Sequence, residues 1–353
     1  MHRPRRRRCL PLVCLALFGI CAARPLADTG VAITAQNGSA IITHQPGAAT
    51  WAIGNATIQF VVGFDASMNL VPVSLTNPAS GTVLDIDQTP DTSVTIGGDP
   101  LTLNQASAKM SLVGTSMDVT DTGVRLAFTF EHRVLHTTIT RTYACYDGSP
   151  AIETWTTLQA ASGAPPVDVS GLTGWQLTMP NAPVKWINGL RGDSATQVLP
   201  DSDSFAFDGG DLDEGETDIG SATRSSEVFV PLIFVEGAQQ QFFGGVIWSG
   251  SWRIAMTKSG DRIQVSASFP GISTSLTTDR ALELPHTFFG VADANPTDAL
   301  RQFVFQGIRR GRPLTPLVTY NTWYPYGSYI TEADVDEEMH RASAIGVEMF
   351  VLD

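Results

Sequence analysis

From Ala40 to His286 the sequence is a succession of short runs in which apolar and polar residues alternate, cut apart by Gly, Pro, Asn and Asp. A period of two puts every second side chain on one face, as a half-buried strand requires, and the punctuating residues are turn formers. The runs Ala56 to Phe64, Leu70 to Leu75, Val124 to Phe130, Thr137 to Tyr146, Ile152 to Leu158, Val228 to Phe234, Phe242 to Trp248 and Ile263 to Phe269 read as strands. So many strands with no helix between them have to bury their apolar faces on one another, which predicts two stacked antiparallel sheets. No fixed repeat period is visible, which counts against a propeller.

The chain changes character near its end. Asn295-Pro296-Thr297-Asp298 opens a helix that has Phe303, Phe305 and Ile308 for its buried side, and Arg309-Arg310-Gly311-Arg312-Pro313 closes it. Basic residues at a helix C-terminus complement the macrodipole, a simpler account of this run than an anion site. Leu317 to Tyr320 is then a short β-prone run that leads into Asn321-Thr322-Trp323. Thr331 and Asp334 have capping-box spacing, so a helix is expected through Met339, His340 and Ala344, ending at Gly346 where φ > 0 is wanted. Val347 to Leu352 is a second strand and Asp353 follows it. Strand, helix, strand is the opening of a (β/α)8 barrel, where chemistry gathers at the carboxyl ends of strands, the positions of Asn321, Trp323 and Asp353.

With 43% hydrophobic and 16% charged residues, the 353-residue chain can bury a large core. Arg3 and Arg5 to Arg8, the apolar stretch Leu10 to Ile20, and Cys21-Ala22-Ala23 have the order of an export leader, cleaved after Ala23 or Ala27. Cleavage would remove Cys9, Cys14 and Cys21 and leave Cys145, in a strand-like run, as a buried thiol with no partner for a disulfide. It would also remove five arginines, moving the formal charge from −13 to −18. So acidic a surface argues against nucleic acid or an anionic membrane as partner and suits neutral ligands.

The Asn321-Thr322-Trp323 stretch, the helix after it and Ile345-Gly346-Val347-Glu348-Met349-Phe350-Val351-Leu352-Asp353 resemble glycoside hydrolase family 36, the bacterial α-galactosidases. The spacing from Trp323 to Asp353 matches the family's without a gap. Further back, Ser74-Leu75-Thr76-Asn77-Pro78 with Gly81, Thr140-Arg141-Thr142-Tyr143 leading into Asp147-Gly148-Ser149-Pro150-Ala151-Ile152-Glu153, and Trp248-Ser249-Gly250-Ser251-Trp252 are similar to the β-supersandwich that precedes the barrel there. The resemblance covers most of residues 40–353. After the export leader (1–23) it implies a galactose-mutarotase-like β-supersandwich (28–290), a linker helix (291–314) and the first β-α-β of a truncated TIM barrel (315–353).

The activity it implies is retaining hydrolysis of α-linked galactose from oligosaccharides such as melibiose or raffinose. Two carboxylates would do the chemistry, one attacking the anomeric carbon and one protonating the leaving oxygen. In the family both are aspartates on later strands, so no catalytic residue is expected within these residues. Asp353 would bind galactose hydroxyls, as a fixed charged acceptor can. Trp323 offers an indole face to the C–H side of a pyranose. Asn321 holds the strand-end loop or touches ligand, and Tyr324 lines the mouth with Tyr326 and Tyr329. The family's tetramer habit implies a homo-oligomer. The sequence departs at Tyr324-Pro325-Tyr326-Gly327, where Glu-Ala is usual, which leaves room for another α-linked sugar. A non-catalytic carbohydrate-binding or scaffold protein is the alternative from a different class.

No cofactor or metal is expected. The acidic residues Asp201, Asp203, Asp208, Asp211, Asp213, Glu214, Glu216 and Asp218 lack calcium-loop spacing and read as a solvated loop. The six histidines show no metal-ligand pairing; His132 and His136 would share a strand face at i and i+4 but lack adjacent partners. Asn37 and Asn55 begin glycosylation sequons, which matter only in a eukaryotic secretory route.

Overall fold

The computed structural model describes residues 32–45, 47–189, 206–221, 225–238, 240–278, 280–293 and 295–353. The leader, with its Ala23 and Ala27 cleavage points, lies outside them, as do Asp201 and Asp203.

A ten-stranded antiparallel sheet organises the molecule. Its main order is Phe207–Gly210, Val184–Asn188, Phe229–Glu236, Gln241–Ile247, His286–Ala292, Ala151–Ala160, Thr137–Tyr146, Gly123–His132 and Met110–Thr120, and Leu282–Glu283 pairs beside Ala151–Ala160. A six-stranded meander runs in chain order from Ala32–Asn37 to Thr82–Leu84. One four-stranded sheet contains Thr173–Pro180, Arg262–Ser268, Trp252–Ser259 and Gly215–Ser221; another contains Thr274–Leu276, Val167–Ser170, Ser93–Ile96 and Asp99–Thr102. Stacked antiparallel sheets are therefore present, though more than the two expected. The strand Thr137–Tyr146 has the expected ends, and the others shift by a few residues.

Alternation decides which face meets what. Phe60 of the meander packs on Tyr143 and Phe289 of the large sheet, with ring centroids 5.4 and 5.0 Å apart. Trp175, from the sheet beside the meander, packs on Phe242 of the same large sheet at 5.5 Å. The indole presses so close that a Cβ at Gly244 would lie 2.7 Å from Trp175 Cζ2. Phe60, Tyr143, Trp175, Phe242 and Phe289 are fully buried, each worth about 1.5–3 kcal/mol of transfer free energy.

A charged pair sits in this interior. Arg141 Nη2 is 2.7 Å from Asp91 Oδ2, the Tyr143 hydroxyl donates to the same oxygen at 2.8 Å, and Arg141 lies over the Tyr143 ring. Burial disfavours the Arg141 cation, but Asp91 outweighs it and raises the pKa above its ordinary value. Cys145 is buried in the next inward position of the same strand, and burial pushes its thiol pKa well up, as expected of an inert cysteine. Asn55 is buried too, its amide donating to Tyr146 and Ser149 carbonyls at 2.9 and 2.6 Å, so its sequon is closed in the folded state.

The opposite face of the large sheet carries the register-matched residues Arg125, Ala144, Glu153 and Phe288. The Pro296–Phe303 helix packs there through Ala299 and Phe303. Asn295 caps it, accepting from Thr297 N at 3.2 Å. The helix continues as a π-helical turn, Val304–Ile308. Phe305 and Ile308 stand two and five residues after the buried Phe303, off its face of the helix, so they are exposed rather than buried as expected, and Gly307, four residues on, takes the inward place. The basic run also does more than close the helix. Arg309 bonds the Arg312 and Pro313 carbonyls at 2.9 and 2.6 Å, while Arg310 reaches the sheet.

Two other expectations need correcting. His132 ends one strand, and His136 is the last residue of the turn that follows, itself at φ +48°, so they do not share a strand face. The acidic run is not a solvated loop throughout: Glu216 and Asp218 lie on the Gly215–Ser221 strand and face Arg253 at 2.5 and 2.9 Å.

Candidate functional site

The strands Thr319–Asn321 and Met349–Val351 pair in parallel, with Asn321 opposite Val351. Parallel neighbours need a crossover, and the Glu332–Ala344 helix supplies it. The Thr331 hydroxyl accepts from Asp334 N at 3.3 Å, and the Asp334 carboxylate accepts from Thr331 N at 3.0 Å, completing the expected capping box. The Thr331 hydroxyl also donates to Asp334 Oδ2 at 2.6 Å, and that bond, with the one from Thr331 N, holds the Asp334 carboxyl below the usual range. Gly346 follows the helix at φ +86°, the left-handed turn expected of it.

Both strands deliver their carboxyl ends to one place. Asn321 Nδ2 donates to Asp353 Oδ2 at 2.9 Å. Asn321 Oδ1 accepts from Trp323 N at 2.8 Å and so fixes the start of the short Trp323–Tyr326 helix. Between them Thr322 is buried: its N–H donates to the Val351 carbonyl at 3.1 Å, and its hydroxyl accepts from Asp353 N at 3.1 Å. Asp353 is thus held through both backbone and side chain, and its Oδ1 has no hydrogen-bond partner among the described residues.

Trp323 is 46% exposed and Tyr324 96%. Tyr329 is also exposed, so Trp323, Tyr324 and Tyr329 present aromatic surface around the strand ends. Tyr326 turns inward instead, its hydroxyl donating to Glu338 Oε1 at 3.1 Å. Tyr320 donates to Glu338 Oε2 at 2.9 Å and stacks on Phe350 at 5.2 Å. The Tyr320 hydrogen bond, with those from Tyr326 and Arg341, lowers the Glu338 pKa. Thr322 and Glu338 escaped sequence reasoning. Threonine after a strand and glutamate inside a helix have no distinguishing spacing, and only the crossover brings them under the site.

The arrangement offers a fixed carboxylate, an amide beside it and an indole face, which suits a polyhydroxylated neutral ligand with an apolar side. Among the described residues no cluster of three or more His, Cys, Asp or Glu is placed to hold a metal ion, and no helix is long and apolar enough to cross a membrane.

The antiparallel supersandwich is a fold shared with glycoside hydrolases of the GH36 α-galactosidase type. An α-galactosidase from Lactobacillus brevis superposes with a TM-score of 0.63 at 14% identity, covering 86% of this chain and 48% of that one. The GH36 α-galactosidase AgaB from Geobacillus stearothermophilus gives 0.63 at 13%, covering 91% and 50%. AgaA from the same organism, solved in complex with raffinose, gives 0.60 at 13%, covering 84% and 49%. The chain spans about half the length of these proteins. No family profile matches the sequence, and no curated protein matches it.

Proposed function

We infer that this chain supplies the supersandwich and the first sugar-gripping strand ends of an exported, α-galactosidase-like retaining glycoside hydrolase acting on terminal α-linked galactose. The hydrogen bond from Asn321 to Asp353 carries this reading, because it holds a carboxylate at adjoining ends of two parallel strands beside an exposed indole. In that role Asp353 accepts two vicinal sugar hydroxyls, Trp323 stacks on the C–H face, and Asn321 orients the carboxylate. The raffinose and stachyose complexes of AgaA support oligosaccharide as the ligand class. The rest of the barrel, the division at residues 290 and 314, the leader and a tetrameric assembly belong to this same proposal.

The carboxylates that cleave the bond are, on this reading, not among these residues. The 353-residue chain is expected to bind galactose without hydrolysing an aryl α-galactoside. NMR titration should shift the Trp323 indole signal on adding galactose, and Asp353→Asn should abolish the shift. Turnover by the purified chain, or a galactose response indifferent to Asp353→Asn, would overturn it. The exposure of Tyr324 at the mouth favours one variant, a different α-linked sugar, which N-acetylgalactosamine in the same titration would reveal.

A further inference from the structure

On the outer face of the large sheet, three arginines converge on one pocket. Arg125, Arg310 and Arg312 line a space of about 360 Å³ together with Thr120, Asp121 and Thr122 of a hairpin turn. This is unexpected in a chain with 22 basic and 35 acidic residues, where Arg141, Arg253, Arg262, Arg301 and Arg341 each face a carboxylate. Among the described residues neither Arg125 nor Arg312 makes an ion pair, although Asp118 stands opposite Arg125 on the next strand and Asp121 lines the same pocket. Arg310 has Glu153 at 3.7 Å, but that carboxylate is already shared with the Tyr146 hydroxyl and His286 Nδ1, each at 2.5 Å. The cluster therefore retains guanidinium donors that no carboxylate within ion-pair distance takes up.

Two of the guanidiniums are also set in place before any ligand arrives. Arg310 lies 3.9 Å above the Tyr146 ring centroid and Arg125 lies 5.2 Å from that of Trp155. Stacking holds a planar cation while leaving its edge free to donate two parallel hydrogen bonds. Arg310 reaches this position from a left-handed backbone, φ +54°, that a non-glycine residue rarely adopts. Backbone strain at a residue so placed is a mark of constraint by function or by packing. The macrodipole does not explain Arg310, because its side chain leaves the helix end for the sheet.

We propose that this pocket binds an acidic sugar, its carboxylate or ester oxyanion held by Arg125, Arg310 and Arg312 and its hydroxyls held by Asp121, Thr120 and Thr122. The turn selects against a bare anion. Asp121 repels naked negative charge but accepts hydrogen bonds from hydroxyls, so a ligand needs both functions. The site is separate from the strand ends at Asn321 and Asp353, and it does not depend on the galactosidase reading.

Isothermal titration of the full chain with galacturonate, galactose and inorganic phosphate tests it. Galacturonate should bind, and weaken when salt is raised from about 50 to about 200 mM. Arg125→Ala and Arg312→Ala should each weaken it about tenfold, as loss of a charged hydrogen-bond partner does. Arg125→Lys should recover part of the loss, showing that the effect is on charge rather than folding. Asp121→Asn should weaken galacturonate but not phosphate. Galactose binding lost with Asp353→Asn and kept with Arg312→Ala reports the other site. The proposal fails if galacturonate gives no heat, if phosphate binds as tightly as galacturonate, or if the arginine variants leave galacturonate affinity unchanged.

Discussion

The supersandwich and the β-α-β unit at residues 319–351 both start from short strands, but they are held together differently. In the sandwich, side chains from three sheets meet, and Phe60, Tyr143, Trp175 and Phe289 lose all contact with water. In the β-α-β unit only Thr322 and Ala342 are buried, while Ile345, Met349 and Leu352 remain exposed. What secures that unit is local: a capping box, a left-handed glycine and a side-chain amide spanning two strand ends. The sandwich is stable by accumulation over many residues and the β-α-β unit by a few directional bonds, so their opening free energies should differ widely.

The largest expected effect is inside the sandwich. Arg141→Met leaves the Asp91 carboxylate buried and unpaired, and should cost about 3–5 kcal/mol in urea unfolding. If that variant loses under about 1 kcal/mol, water reaches Asp91 and the interior is less closed than its geometry states.

His286 gives a milder perturbation at the sandwich's outer face. Burial disfavours its imidazolium, but Glu153 and Glu283 outweigh that and raise its pKa above the ordinary 6.5. A raised folded pKa means the contribution is complete below about pH 6.5 and is lost as pH climbs through the folded value. The sandwich's unfolding midpoint should therefore fall across that window, with Tyr146, Arg310 and Arg125 as the other charged or titratable neighbours. His286→Phe should flatten the dependence, and an unaltered slope would assign it elsewhere.

Thr331→Ala should have the smallest effect on the whole chain and a visible one locally. Losing the cap costs about 1 kcal/mol of helix stability. Hydrogen exchange at 332–344 should accelerate about fivefold while the sandwich midpoint stays put. A joint fall of both would mean that the two regions unfold as one.

The parts legible in sequence were those whose cause is local. Thr137–Tyr146 is readable because its alternation is bounded by turn residues, and Glu332–Ala344 because Thr331, Asp334 and Gly346 mark its ends. Asn321, Trp323 and Asp353 were placeable because strand-end positions follow from element order. What stayed hidden was long-range. Asp91 meets Arg141 across 50 residues and Glu153 meets His286 across 133, and no periodicity encodes either meeting. The Val304–Ile308 π turn was missed because composition does not announce a wider helix, and Phe305 and Ile308 were assigned to the buried side because they are apolar, although neither is three or four residues from Phe303.

Cys145, sealed between the sheets with its thiol held protonated, can serve as a clock. A thiol reagent attacks the thiolate, which the closed sandwich neither exposes nor ionises. Labelling at Cys145 then counts openings of the sandwich one molecule at a time, while the β-α-β unit can flicker open without registering. With excess reagent the labelling rate approaches the opening rate itself; with scarce reagent it follows the open population. One natural side chain thus separates how often the sandwich opens from how long it stays open.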